Sequence, residues 1–426
     1  MTLTHKSYIP RVSDAALTKH LNVAGAVCVE GPKWCGKTWL SLNHADSVYY
    51  VGDPSNNFQN RQRALLDPSS VLEGRSPRLI DEWQEVPGIW DAVRFQCDTT
   101  SEHGQYILTG SSTPLKKGVL HSGTGRITRV ALRTMSLFES GDSDGSVSLQ
   151  TILNNDLKPT PCKEVSLKDL AYYIIRGGWP ALKDTKEHNA QMLLRSYVEN
   201  IPTDMERVDG VNRNPELIFM LLRSLARNES TLASNATLVR DIQDQDQQDV
   251  HRDTIEDYLG VLNQLFLIEN QPAYSVNIRS SIRVGKKVKR HMADPSLAAA
   301  LLGLNTKGLI DNLTTFGFLF EALAERDLSI YGSMYGATLK HYRDNTGHEV
   351  DAILEFSDGR RAAFEVKLGA HAVDEGAQAL LKFQSLMLKD THSVSPFPLC
   401  VITGLGNIAY TRDDGVMVVP LAALRD

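Results

Sequence analysis

The chain has 426 residues, of which 42% are hydrophobic and 23% charged, with a formal net charge of −6. That balance excludes a protein that coats nucleic acid over its whole surface, and five cysteines (Cys28, Cys35, Cys97, Cys162, Cys400) without C-x-x-C spacing exclude a disulfide framework and an obvious zinc site. No apolar run approaches the roughly 18 residues of a membrane span, and Met1 to Lys6 carries no signal-peptide core, so a cytoplasmic protein of about three domains with no membrane partner is expected.

In chain order, the apolar run Ala26 to Val29 reads as a buried strand and Trp39 to Leu42 as a helix. Between them Gly31-Pro32-Lys33-Trp34-Cys35-Gly36-Lys37-Thr38 fits the phosphate-loop pattern G-x-x-x-x-G-K-[ST] at every fixed position. Such a junction calls for a nucleoside triphosphate, taken here as ATP, with Mg²⁺. The glycines let the backbone curl so that successive amides face the phosphates; Lys37 reaches the β and γ phosphates, and Thr38 offers its hydroxyl to Mg²⁺. Cys35 is either an oxidisable thiol or a spacer, the spacer being the simpler reading.

About forty residues on, Arg78-Leu79-Ile80-Asp81-Glu82-Trp83-Gln84 reads as a strand ending in acids. Asp81 is placed to hold the Mg²⁺ shell and Glu82 to polarise the attacking water as general base. A further strand, Gln105 to Leu108, ends in Thr109-Gly110-Ser111-Ser112. Thr109 or Ser111 is in a position to sense the γ-phosphate; the alternative is a Ser/Thr turn without nucleotide contact. Next come Arg126, Arg129 and Arg133. Arg126 is the candidate for an arginine finger acting on a neighbouring subunit, against the plain alternative of a surface arginine.

From Phe138 to Lys168 the chain is rich in Gly, Ser, Asp, Asn and Pro and reads as an insertion or linker. Leu167 to Val208 reads as helical, broken at Arg176-Gly177-Gly178-Trp179-Pro180, and fits a small lid over the nucleotide. Amphipathic stretches at Leu217–Arg227, Ala236–Asp241 and Thr254–Leu265, followed by wing-like strands, suggest a winged helix. Asp253, Glu256 and Asp257 at the start of its last helix oppose phosphate contact, whereas Lys286, Lys287, Lys289 and Arg290 in the basic run Arg283 to His291 offer backbone contacts to DNA or RNA.

In the last third, Glu349 to Leu354 and Ala363 to Lys367 alternate as two strands about the turn Ser357-Asp358-Gly359-Arg360. A hairpin gathers Asp351, Glu365 and Lys367 in one place: two carboxylates to hold Mg²⁺ and a lysine to steady charge on a phosphate. An ordinary hairpin with a polar outer face is the competing reading.

Taken together, Gly31 to Thr38, Asp81-Glu82-Trp83-Gln84, Leu108 to Ser112, Gly177-Gly178-Trp179-Pro180, and Glu349-Val350-Asp351 with Glu365-Val366-Lys367 resemble the prokaryotic AAA-type ATPases with a C-terminal domain of unknown function. The rear motifs resemble the PD-(D/E)xK nuclease superfamily. That resemblance implies a ring-forming homo-oligomer, six subunits being the family's habit, with Lys37, Asp81 and Glu82 in the usual roles. It also implies a further acid from a helix before the hairpin, a place that Glu321 matches. Trp34 makes the phosphate loop bulkier than that of relatives and is a candidate gate. The expected architecture is α/β: a P-loop NTPase parallel sheet (residues 1–140), a helical lid (165–208), a winged-helix middle domain (209–303) and a C-terminal α/β nuclease-like domain (310–426). The expected function is ATP hydrolysis that positions or regulates the rear module on nucleic acid. The alternative is an ATP-driven switch or remodeller of a protein partner, its rear module catalytically silent.

Overall fold

The computed structural model describes residues 8–112, 119–246, 249–274, 287–389 and 397–426; Arg283 to Lys286 of the basic run and Met1 to Lys6 lie outside them. The protein is mixed α/β and divides into two compact units. The first comprises residues 1–134, 201–213 and 259–267, the second 135–200, 214–258 and 268–426.

The first unit is built on five parallel strands: β1 (Ala26–Glu30), β2 (Ser47–Tyr50), β3 (Arg78–Asp81), β4 (Tyr106–Gly110) and β5 (Ile127–Ala131), in the order β2-β3-β4-β1-β5. Its central strands are apolar on both faces because helices cover both. Val27, Val29, Leu79 and Ile107 point to the side of Leu17 and Leu40, and Ala26, Cys28, Ile80 and Leu108 to the side of Ile89, Trp90 and Val93. Pairing of Glu30 with Gly110 and of Asp81 with Thr109 brings the carboxyl ends of β1, β3 and β4 to one edge. Because β4 lies between β1 and β3, its Thr109 sits between the phosphate loop and the acids.

The second unit carries a seven-stranded mixed sheet in the order 337–343, 349–356, 361–367, 399–403, 417–420, 408–411 and 160–161. The expected hairpin is present, Glu349–Phe356 pairing antiparallel with Arg361–Lys367. The segment after Phe138, expected as an insertion or linker, is no free linker but part of this unit: Ile408 pairs with Pro161, and Leu424–Arg425 pairs with Val147–Ser148. Its polar residues are spent on local closure, including the capping box Ser136/Glu139 and the Asp144 carboxylate that accepts from the Ser146 and Lys163 amides.

Of the stretch expected to be a lid, Leu167–Arg176 and Glu187–Glu199 fall in the second unit and Ile201–Asp209 in the first. Gly178 of the Gly-Gly-Trp-Pro turn is held at the backbone: its carbonyl accepts from Met135 N at 2.6 Å, and its amide donates to Asp294 Oδ2 at 3.0 Å. A Cβ there would stand 2.1 Å from the Met135 carbonyl oxygen, so close approach requires glycine. Helices Pro215–Arg227, Asn235–Asp246 and Arg252–Gln264 form close to their expected positions, and Ile268–Gln271 pairs antiparallel with Lys289–Met292. The segment 209–303 is shared between the two units.

Candidate functional site

The phosphate loop leaves β1 at Gly31, where a Cβ would stand 2.1 Å from the Leu132 carbonyl oxygen, so the sequence can turn there only with glycine. Trp34 (φ 73°) and Gly36 (φ 103°) both take left-handed backbone, the unusual conformation for a tryptophan that accompanies a tightly wound loop. The Trp34 side chain is 40% exposed. Cys35 is fully buried in the apolar cluster of Leu17, Leu40 and Leu132, which withdraws it from oxidants and makes it a packing residue. Lys33 Nζ reaches Asp204 Oδ1 at 2.5 Å, tying the loop to helix Ile201–Asp209 of the same unit.

Arg11 was not visible as a site residue in the sequence, since a lone arginine before a helix carries no motif. Its buried guanidinium donates to the Cys35 carbonyl at 2.9 Å and to the Arg133 carbonyl at 2.9 Å, bracing the loop from beneath. Hydrogen bonds from a charged donor contribute about 1.5–3 kcal/mol. Arg11→Met is therefore expected to weaken ATP binding about 10-fold or more while leaving the fold intact; unchanged affinity in a nucleotide titration would remove the bracing role.

Lys37 Nζ is buried and donates to the carbonyls of Gly31 (2.9 Å) and Pro32 (2.7 Å). Among the described residues no carboxylate lies within ion-pair distance of it, so its hydrogen bonds go to carbonyls while the Glu82 carboxylate is felt only through space. Such an arrangement suits an anion that arrives from outside. Opposite it, Asp81 Oδ1 accepts from Thr38 Oγ1 at 2.8 Å and from Thr109 Oγ1 at 2.6 Å, while Thr109 Oγ1 lies 3.3 Å from the Glu82 amide. A hydroxyl and a carboxylate so close can share one Mg²⁺ shell once phosphate oxygens complete it. Glu82 adopts left-handed backbone (φ 60°), which turns its side chain back over the strand end. There it accepts from Gln84 Nε2 and lies 3.4 Å from Ser111 Oγ. Burial, then the neighbouring Asp81 carboxylate, pushes Glu82 above the usual carboxylate range, in the direction a general base requires. The residues present thus fit ATP with Mg²⁺.

Arg126 does not join this group. It precedes β5, whose first residue pairs with the first residue of β1, so it lies at the opposite edge of the sheet from its own phosphate loop, ion-paired with Asp98. The parallel register of β1 and β5 is the reason; it keeps Arg126 away from the site of its own subunit, whereas the expectation was of a finger acting on a neighbouring subunit. Arg129 is likewise engaged, with Glu30.

In the second unit, Asp351 Oδ2 accepts from the Val366 amide at 2.8 Å, and Glu365 Oε2 pairs with Lys367 Nζ at 2.8 Å. Helix Leu313–Met334 adds Glu321 and, one turn on, Glu325. The structure therefore gathers Glu321, Asp351, Glu365 and Lys367. Burial, together with the adjacent acids, pushes both Glu321 and Glu365 well above the usual carboxylate range. The residue that sequence reasoning misplaced is Lys289. It is 1% exposed and does not offer itself to a nucleic-acid backbone; it reaches inward to Glu321 and, at 2.8 Å, to Glu325. Arg290 is spent on Ala233 O and Asn235 Oδ1, both at 2.7 Å, leaving Lys287 as the exposed cation among the described residues of the run. Among the described residues no group of three or more His, Cys, Asp or Glu side chains is arranged to hold a metal ion. The expected metal set Glu321, Asp351 and Glu365 thus does not fit a divalent cation in this arrangement, because Lys289 pairs with Glu321, Lys367 with Glu365, and the Asp351 carboxylate accepts from the Val366 amide.

Comparison with known proteins agrees with the first unit's geometry. Residues 24–140 match the family described as an AAA domain, residues 167–308 a domain of unknown function (DUF8612) and residues 316–424 another (DUF4143). Uncharacterized proteins of Mycobacterium bovis and Mycobacterium tuberculosis are each 24% identical over 361 residues, covering 84% of this chain and 73% of theirs. Among solved structures, the Aeropyrum pernix ORC1 protein in complex with DNA aligns at 12% identity and a TM-score of 0.25, over 70% of this chain and 95% of that one. The Aeropyrum pernix ORC2 protein aligns at 13% identity and a TM-score of 0.29, over 74% and 96%. Similarity at those scores carries no weight for this chain. The AAA-type match covers the phosphate loop and all five strands of the first unit's sheet, and no helix among the described residues is long and apolar enough to cross a membrane.

Proposed function

We propose that the protein binds and hydrolyses ATP, and that the cycle works as a switch on a rear module that is catalytically silent while Lys289 is seated. The observation that carries the ATPase reading is the buried Lys37 ammonium, hydrogen-bonded only to the Gly31 and Pro32 carbonyls of its own loop, next to Thr38, whose hydroxyl donates to Asp81. In this reading Gly31 to Thr38 wrap the phosphates, Lys37 balances their charge, and Thr38 with Asp81 hold Mg²⁺, which supplies electrophilic assistance when bound. Glu82 takes the proton of the attacking water, and Thr109 and Ser111 connect the phosphate to the two acids. Assembly into a ring is part of the proposal and is supported by the AAA-type match.

A second reading, an ATP-controlled nuclease, rests on the gathering of Asp351, Glu365 and Lys367 on adjacent strands. One experiment separates the two: phosphate release and strand cleavage are measured together with ATP, Mg²⁺ and single- or double-stranded DNA or RNA, using Lys37→Ala and Asp351→Ala as controls. The switch reading expects phosphate release that Lys37→Ala abolishes, and no cleavage. Cleavage that is lost in Asp351→Ala and altered in Lys37→Ala would replace it by the nuclease reading, and absent phosphate release would overturn both. Light scattering with and without ATP tests the ring.

A further inference from the structure

Strand Lys289–Met292 and helix Leu313–Met334 meet through side chains of matched period. Lys289 and His291, two apart on a strand, share a face, and Glu321 and Glu325, four apart on a helix, share another. Lys289 Nζ donates to Glu321, to Glu325 Oε1 at 2.8 Å and to the Asp351 carbonyl at 3.4 Å. His291 Nδ1 lies 3.0 Å from Glu229 Oε1, and its Nε2 lies 3.0 Å from Gln271 Oε1 and 3.1 Å from Glu325 Oε2. The Glu325 Oε2 atom is buried without an aligned hydrogen bond. Burial works against the Lys289 charge, and the Glu321, Glu325 and Asp351 carboxylates overcome it, holding the ammonium protonated well above its ordinary range.

An ammonium so enclosed is a poor surface contact and a good counter-ion. Two acidic side chains, Glu321 and Glu325, converge on it from one helix and the Asp351 carbonyl meets it from a strand, and both acids lose their compensation if it leaves. We propose that Lys289 is a resident cation that stands in the place of a divalent metal ion between Glu321, Glu325 and Asp351, so that the acid cluster takes a metal only when the Lys289 strand is withdrawn or its ammonium removed. The inference goes beyond the ATPase reading and does not depend on it.

Nucleotide-free protein is melted in EDTA and in Mn²⁺, for the parent, Lys289→Met and Lys289→Met/Asp351→Asn. Removing the ammonium leaves buried acids unpaired, so Lys289→Met is expected to lose at least about 5 °C of Tm in EDTA. Mn²⁺ should recover at least half of that loss in Lys289→Met, much less in the double variant, and add nothing in the parent. Lys289→Met that melts identically in EDTA and Mn²⁺ would overturn the inference. Should Lys289→Met fail to fold, Mn²⁺ binding to the intact parent decides by electron paramagnetic resonance: the inference expects no bound ion that Asp351→Asn removes, and a parent ion lost in Asp351→Asn refutes it.

Discussion

Glu82→Gln is expected to bind ATP as tightly as the parent and to hydrolyse it about 10²–10⁴-fold more slowly, because the substitution removes a proton acceptor and keeps its shape. Gln at this position can still receive the Ser111 hydroxyl and sit beside Gln84, so the strand end keeps its packing. Lys37→Ala differs in kind: it removes the buried cation that faces the phosphates, and binding is lost together with turnover. The pH profile supplies a second check. A general base acts only when deprotonated, and burial plus Asp81 raise the Glu82 pKa, so activity should fall with decreasing pH at values above those of an ordinary carboxylate. The residual activity of Glu82→Gln should lack that acid limb. Because a raised carboxylate pKa means that folding disfavours the charged form, stability contributed by Glu82 is present at low pH and lost as pH rises through its window. Neutralising the residue should therefore not lower Tm near pH 7. A Glu82→Gln protein that hydrolyses ATP at the parental rate would assign the base elsewhere.

Arg326→Met is expected to cost about 3–5 kcal/mol of the second unit's stability, the penalty for breaking a buried ion pair from one side. Arg326 NH1 donates to Asp294 Oδ2 at 2.9 Å, and its Nε and NH2 both donate to Asp327 Oδ1, at 2.9 and 2.8 Å. All three side chains are buried. The acids in turn hold backbone: Asp294 accepts from the Gly178 and Ser296 amides, and Asp327 from the Leu137 amide at 2.9 Å. Without the guanidinium two carboxylates remain in an apolar setting, and the Gly-Gly-Trp-Pro turn loses the charge that orients its anchor. Denaturant unfolding followed in the second unit measures the loss. The triple variant Arg326→Met/Asp294→Asn/Asp327→Asn should recover much of it, because no charge is then left unpaired. Equal destabilisation of single and triple variants would mean that packing of the arginine stem, and not charge compensation, is what matters.

Local pattern was sufficient to single out the residues that gather at the candidate nucleotide site. A phosphate loop is a run of eight consecutive residues, and Asp81, Glu82, Thr109 and Ser111 follow strands whose apolar runs are legible one at a time, so parallel pairing brings them to one edge. The rear hairpin was legible for the same reason, as its period of two and its turn residues are local signals. Tertiary structure decided everything that depends on distant partners. Arg126 follows a glycine turn, and only the strand register shows that it lies at the far edge of the sheet from its own phosphate loop. Arg11 carries no motif and acts through backbone carbonyls that the sequence does not bring near it. The polar stretch after Phe138 reads as a linker, yet its hydrogen-bonding side chains close turns that let it pair with the C-terminal strands. Lys289 lies in a basic run that looks like a surface patch, because charge counted along a chain carries no information about which way a side chain points. Burial against Glu321 and Glu325 turned that lysine inward, and the cost of leaving those acids unpaired keeps it there.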